Sequence, residues 1–495
     1  MSESRSGKVI ALSLGQALTS VVTLLTSVAL ARMLKVGDLA TYLQTFLAYN
    51  IAAPILSLGL SFGLYYFLPS ENKRARAVVF EALLIMFSMG IFYGLFIACG
   101  GNHLLAQRFS NPNIENTLLY LIPYSILTLP AGLLGAVLVV RNRVKQLTVF
   151  NILSNLVLGI SIIAVCALWK NVQFIILTYV AVSLINGLIA IVIILRAVPD
   201  GDSQLRWHEI KNIISYSLPL ALATMLGSIA LQLDKFIVSA MCSPADFVIY
   251  TYGAVEIPLV GIITGAISAV ILADMVAHCK NGDRVLALIL FKKGAVRSAL
   301  ILFPVMAFLM LYADEFITIL YTEKFHESVG IFRIYLLTLL IRVVMYGVAL
   351  MALGKTRVVL WRSVGDLLIN MIVTYVFVYF YGPYGAAWAT VVTLFFWSVP
   401  FNLKMISKGF DCSWKEILPL PALFTILLIS IISVSLSGSV TFLLNSNNIF
   451  VVFSLALLMS SGVYTLLIYR NFEEGREVIG DVGSKIFKIL NIVKV

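Results

Sequence analysis

The chain has 495 residues, of which 60% are hydrophobic and only 12% charged, with a formal net charge of +11. A soluble domain carries about 25% charged residues, so a chain this long and this poor in charge cannot cover a water-facing surface. The five cysteines form no CxxC pair and no metal-ligand spacing with the four histidines; neither a disulfide framework nor a metal site is indicated. Apolar runs of about 20 residues recur from end to end, the length needed to cross hydrocarbon. Lipid offers the backbone no hydrogen-bond partners, so such runs are helices or closed barrels. Runs such as 176–195 and 451–467 lack the alternation of barrel strands. The fold expected is an all-α polytopic membrane protein.

Taken in order, the expected spans are 9–32, 40–68, 77–99, 117–140, 147–169, 172–196 and 212–240. They continue with 246–277, 295–312, 328–353, 358–381, 384–403, 417–437 and 447–469. That makes about fourteen, with ends loose by a few residues. Arg5 and Lys8 before an apolar stretch ending at Ala31 imitate a signal peptide, but a stretch of ~24 residues is long for a signal core. It reads as the first span.

Lys and Arg fall at the N-terminus and then in every second loop. The clusters are Lys73/Arg74/Arg76, Arg141/Arg143/Lys145, Arg196/Arg206/Lys211, Lys280/Arg284/Lys292/Lys293/Arg297, Lys355/Arg357/Arg362 and Lys404/Lys408/Lys415. A basic tail follows from Arg470. This alternation orients the chain with both termini cytoplasmic and its charge toward the anionic leaflet. Because the charge is spread over many short loops, it does not point to nucleic acid.

The chain also repeats. Asp38 and Tyr42 follow the first span as Asp246 and Tyr250 follow the seventh, and Arg141-Asn-Arg after the fourth stands beside Gly354-Lys-Thr-Arg after the tenth. The expected organisation is a six-helix bundle over 1–200, a second over 201–410, and two further spans with the basic tail over 411–495. Six is even, so the halves enter the membrane in the same sense, a parallel repeat.

On these residues the chain resembles the Wzx-type O-antigen/polysaccharide flippases of the multidrug/oligosaccharidyl-lipid/polysaccharide exporter superfamily. The stretches that carry the resemblance are Leu30-Ala-Arg-Met-Leu-Lys-Val-Gly-Asp38 with Tyr42, Leu233-Asp-Lys-Phe-Ile-Val238 with Tyr250, and Asn281-Gly-Asp283. Leu320-Tyr-Thr-Glu-Lys-Phe325, Gly354-Lys-Thr-Arg357 and Tyr381-Gly-Pro-Tyr-Gly-Ala-Ala-Trp-Ala-Thr390 complete them. Thr322 departs from the pattern, where glycine is expected after Leu-Tyr. The resemblance implies two six-helix bundles around a central cavity plus two C-terminal helices, in a multi-pass protein of the bacterial inner membrane. It implies transport of an undecaprenyl-diphosphate-linked oligosaccharide to the periplasmic leaflet by alternating access, with membrane lipids, a polysaccharide polymerase and chain-length machinery as partners.

Charges inside spans cost about 3 kcal/mol or more at a helix centre. Here they are Asp234 and Lys235 in the seventh span, Glu256 in the eighth, Arg333 and Arg342 in the tenth and Asp366 in the eleventh, with Arg32 closing the first. Arg32, Lys235 and Arg342 are candidates to hold the diphosphate or acidic sugars, because cations in a low-dielectric vestibule focus anions. The carboxylates Asp234, Glu256 and Asp366 could bind the protons or sodium that drive transport, or could pair with the basic residues and fasten helices. Arg333 reads as interfacial. Gln16, Asn50, Asn151, Asn155, Gln232 and Asn370 could contact sugar hydroxyls, but interhelical hydrogen bonds are the commoner use of such residues, while Trp169, Tyr312 and Trp361 suit the membrane interface. Residues 284–293 read as an amphipathic helix on the membrane surface.

A multidrug cation antiporter and a peptidoglycan-precursor flippase share the expected architecture and remain open. A membrane glycosyltransferase or polymerase would need a large outside loop with acid/base groups, and the longest, 100–116 and 313–327, are short. No nucleotide-binding glycine loop occurs, so neither an enzyme nor an ATP-driven pump is expected, and no cofactor.

Overall fold

The computed structural model describes residues 5–70, 74–198, 201, 204–444, 448–472 and 475–476. Lys73 and the tail lysines Lys485, Lys488 and Lys494 lie outside the described residues. Among the described residues there is no strand, and twelve helical segments are long and apolar enough to cross a membrane. One of these, Arg357–Phe410, is 54 residues long and kinks at Gly382 (φ 57°), so it supplies two crossings. The 35-residue helix Trp207–Met241 supplies another, since ~1.5 Å per residue makes it long enough. The fourteen crossings expected from hydropathy are accounted for.

Several spans are interrupted where the sequence lets the backbone turn. The second runs Val36–Leu56, then Leu60–Ser70, broken by Leu58 (φ 47°) and Gly59 (φ 64°). The eighth runs Pro244–Gly253, then Pro258–Lys280, with proline opening the second piece, where its missing N–H costs nothing. The tenth is cut into Ser328–Leu336, Leu339–Arg342 and Tyr346–Ala352. Breaks at membrane depth are tolerated only against protein or water.

The chain forms two compact units. One comprises Met1–Thr251 and Ser363–Ala386. In it the first span (Arg5–Met33) packs along the fifth (Val144–Trp169), and the third (Ala75–Phe96) along Leu121–Ala131 of the fourth. The sixth (Val172–Ala197) lies on both the fourth and the fifth, and the seventh packs on both pieces of the second. That last contact is very close, because small residues meet: a Cβ on Gly63 would lie 2.2 Å from Ser217 Oγ, while Tyr66 stacks on Tyr216 with centroids 4.4 Å apart.

The other unit comprises Tyr252–Arg362 and Ala387–Val495. Pro258–Lys280 packs on Arg284–Leu311, which packs in turn on Leu420–Leu444, and Ile449–Asn471 completes the group. Tyr464 donates to the Leu300 carbonyl at 2.8 Å. Two expectations are corrected here. Residues 284–293 are not a separate surface helix; they open one continuous 28-residue helix. Asp283 Oδ1 caps the Leu286 N–H at 3.0 Å, the helix runs on through Gly294 and Pro304 to Leu311, and Ala287 and Phe291 are buried. Tyr312 is not an interface anchor: it is buried, with its hydroxyl 2.9 Å from Thr441 Oγ1.

The repeat is visible in its turns. After the fourth span Asn142 has φ 60° and the Arg143 N–H bonds back to the Leu138 carbonyl at 2.8 Å. After the tenth Gly354 has φ 70° and the Lys355 N–H bonds back to the Leu350 carbonyl at 2.9 Å. This is the same left-handed helix stop, met once with asparagine and once with glycine, the two residues that tolerate it best.

Candidate functional site

The sequence placed Arg342 deep within a helix and Glu256 within another. Both instead sit at helix interruptions. Arg342 ends the short helix Leu339–Arg342, and Glu256 lies in the non-helical link 254–257. An apolar run alone does not reveal these breaks, since hydropathy continues through them. The breaks bring the two groups together: Arg342 Nη2 donates to Glu256 Oε1 at 2.5 Å, with the side chains 33% and 48% exposed. Val260, Tyr335, Thr338 and Leu339 close around them, leaving a cavity of about 10 Å³, room for about one water. A guanidinium at this point is fixed by one carboxylate and retains donors for an oxyanion.

Arg333, read as interfacial, bonds Asp314 Oδ2 at 2.7 Å and the Met310 carbonyl at 3.1 Å. Asp314 also has His326 Nδ1 at 3.4 Å.

In the first unit Asp234 is buried, 6% exposed. Tyr250 donates to its Oδ2 at 2.5 Å and the Lys235 backbone N–H to its Oδ1 at 2.8 Å. The Tyr250 of the sequence repeat is therefore the tyrosine that holds this carboxylate. Lys235 is half-buried beside it. Arg32 is exposed in the last turn of the first span, and Asp366 half-buried in the eleventh; both are engaged by neighbours.

Two clusters escaped the sequence reading. Glu81 is fully buried and accepts from Arg74 Nη2 at 2.9 Å and from the Arg206 N–H at 3.1 Å, while Arg74 also reaches Glu209 at 3.6 Å. The spacing of seven between Arg74 and Glu81 is two helical turns and could have flagged them. Gln44 donates to Ser239 Oγ at 3.0 Å and accepts from Asn111 at 2.7 Å, in a fully buried network. Asn111 lies in a loop, so nothing in the sequence marks it. In the same unit Phe46 packs edge to face on Tyr124 and tilted against Tyr179, and Tyr49 packs edge to face on both Tyr124 and Tyr93.

The fold matches solved transporter structures. The lipid II flippase MurJ, in an inward closed conformation, superposes with a TM-score of 0.72 at 16% identity, covering 94% of this chain and 99% of that one. An inward-facing multidrug resistance MATE family transporter of the MOP superfamily gives a TM-score of 0.57 at 17% identity, covering 82% and 99%. A MOP superfamily transporter from Pyrococcus furiosus gives 0.56 at 14%, covering 82% and 96%. No curated protein sequence matches the chain. The family model described as polysaccharide biosynthesis protein matches residues 17–330, well over half the chain. With that match on a fourteen-span transporter fold, the chain belongs to the polysaccharide biosynthesis protein family.

Proposed function

We propose that this protein is a flippase that moves an undecaprenyl-diphosphate-linked oligosaccharide, an O-antigen or similar repeat unit, from the cytoplasmic to the periplasmic leaflet. The membrane is the bacterial inner membrane, with both chain termini cytoplasmic. The observation that carries this reading is the polysaccharide biosynthesis family match on a chain with a transporter fold. Arg342 supplies suitable chemistry: its planar fork fits phosphate oxygens bidentately, and Glu256 is the partner a diphosphate would displace. Asp234, held by Tyr250, is the carboxylate best placed for proton or sodium coupling by alternating access. Membrane lipids surround the protein, and a polymerase and chain-length machinery would take up the delivered unit.

A second reading, a peptidoglycan-precursor flippase, is favoured by the fold match to the lipid II flippase. One experiment separates the readings. Deleting the gene is expected to remove the surface polymer and to accumulate lipid-linked repeat units at the cytoplasmic leaflet, measured by mass spectrometry of extracted lipids. Accumulated peptidoglycan precursor with lysis would establish the second reading instead. Intact surface polysaccharide with altered drug susceptibility would overturn both in favour of a multidrug cation antiporter.

A further inference from the structure

The first unit contains a pocket of about 410 Å³ between the fourth, fifth and sixth spans, within the size range of small-molecule sites. Its lining includes Thr128, Asn151, Ser183 and Asn186 together with Phe150, and none of its residues is charged. The polar groups converge from three helices. Thr128 is held by the Tyr49 hydroxyl at 2.9 Å and by the Tyr124 carbonyl at 2.7 Å. Asn186 makes only a long bond, 3.5 Å, to the Ser154 carbonyl. The side chains of Asn151 and Ser183 form no hydrogen bond among the described residues. An amide or hydroxyl in a membrane span that fastens neighbouring helices would be bonded to them. The polar atoms of Asn151 and Ser183 are accessible in the pocket, where water or a ligand can bond them.

Gly135 also lines the pocket. A Cβ on Gly135 would meet nothing within 4 Å. Its absence opens space in the pocket and relieves no clash.

We infer that this pocket is a subsite for the uncharged, hydroxyl-rich part of the transported glycan. Amide and hydroxyl groups, which both donate and accept, match sugar hydroxyls, and Phe150 offers an apolar face. A diphosphate would find no cation there. The inference rests on the flippase reading above.

The test uses the full protein in lipid nanodiscs and two probes. One is the lipid-linked oligosaccharide extracted from cells lacking this protein; the other is undecaprenyl diphosphate, which has no glycan. Competition binding followed by native mass spectrometry is expected to show that the wild type prefers the glycan-bearing probe. Asn151→Leu and Gly135→Leu are expected to reduce that preference roughly tenfold, as for losing one or two good hydrogen bonds. Their affinity for undecaprenyl diphosphate should stay unchanged, which also shows that they fold. Gly135→Ala, too small to fill the space, is expected to behave as wild type. A preference that survives in both leucine variants would overturn the subsite and leave the flippase reading standing, as would a wild type that binds both probes equally. A wild type that binds neither would overturn the flippase reading and the subsite with it.

Discussion

Arg342→Ala is expected to lower transport by roughly two orders of magnitude while leaving the protein level in the membrane unchanged, the loss typical of removing a charge-assisted phosphate contact. Arg342→Lys keeps the charge but loses the planar fork, so it should retain partial transport. Glu256 decides what the arginine is for. The two groups form an ion pair at facing helix breaks, and half-exposed pairs of this kind contribute little to stability. If the pair served only to fasten those breaks, removing both charges together would restore function. The Arg342→Ala/Glu256→Ala double variant is expected to be as inactive as Arg342→Ala, because the substrate still lacks its cation. Glu256→Gln alone should bind undecaprenyl diphosphate at least as tightly as wild type, since the guanidinium no longer has a competing carboxylate. Restored transport in the double variant would show that Arg342 is a structural partner and does not bind substrate.

Gly59→Val is expected to destabilise the protein by about 3 kcal/mol and to reduce its level in the membrane, as overpacking and backbone strain combine. Gly59 has φ 64°, and a Cβ there would lie 1.9 Å from Ala221 Cβ and 3.1 Å from the Ser217 carbonyl oxygen. Two costs are therefore separable. Ala221 is fully buried and cannot swing aside, so Gly59→Ala carries both the clash and the left-handed penalty. Adding Ala221→Gly removes the 1.9 Å contact but keeps the 3.1 Å approach to the Ser217 carbonyl and the backbone term of about 1 kcal/mol, and it puts a glycine inside the seventh span at a cost of about 1 kcal/mol. Thermal unfolding of the detergent-solubilised protein should rank wild type, double variant, Gly59→Ala and Gly59→Val in falling order. A Gly59→Ala protein as stable as wild type would contradict the close packing of the second and seventh spans.

Span number and approximate position were legible from the sequence because burial in lipid demands long uninterrupted apolar runs, and nothing else in this chain produces them. Where helices stop inside those runs was not. Hydropathy runs on through the breaks at Leu58, Glu256 and Val343; Gly59 and Pro258 stand beside the first two as breakers that hydropathy does not register, and Val343 has no glycine or proline next to it. Consequently Arg342 and Glu256 were each identified as intramembrane charges, yet their meeting at 2.5 Å follows from breaks no periodicity shows. Asp234 was placed in its helix, but its burial and its bond to Tyr250 come from tertiary packing. Thr322 is instructive in the other direction. The family pattern leads one to expect glycine there, and the backbone has φ 79°, a conformation glycine adopts freely and a β-branched residue does not. The departure noticed in the sequence is a strained turn in the structure. Glu81 shows a signal present and unused, for its helical spacing from Arg74 was available from the start.

Flipping itself is measured by reconstituting the purified protein into liposomes containing lipid-linked oligosaccharide extracted from cells lacking it. The quantity measured is the fraction of glycan that an enzyme confined to the outside can reach over time. Wild-type protein is expected to carry the inner-leaflet fraction outward and Arg342→Ala is not, while protein-free liposomes retain about half inside. Equal retention with and without wild-type protein, under conditions where the same vesicles accumulate a cationic drug, would contradict the flippase reading.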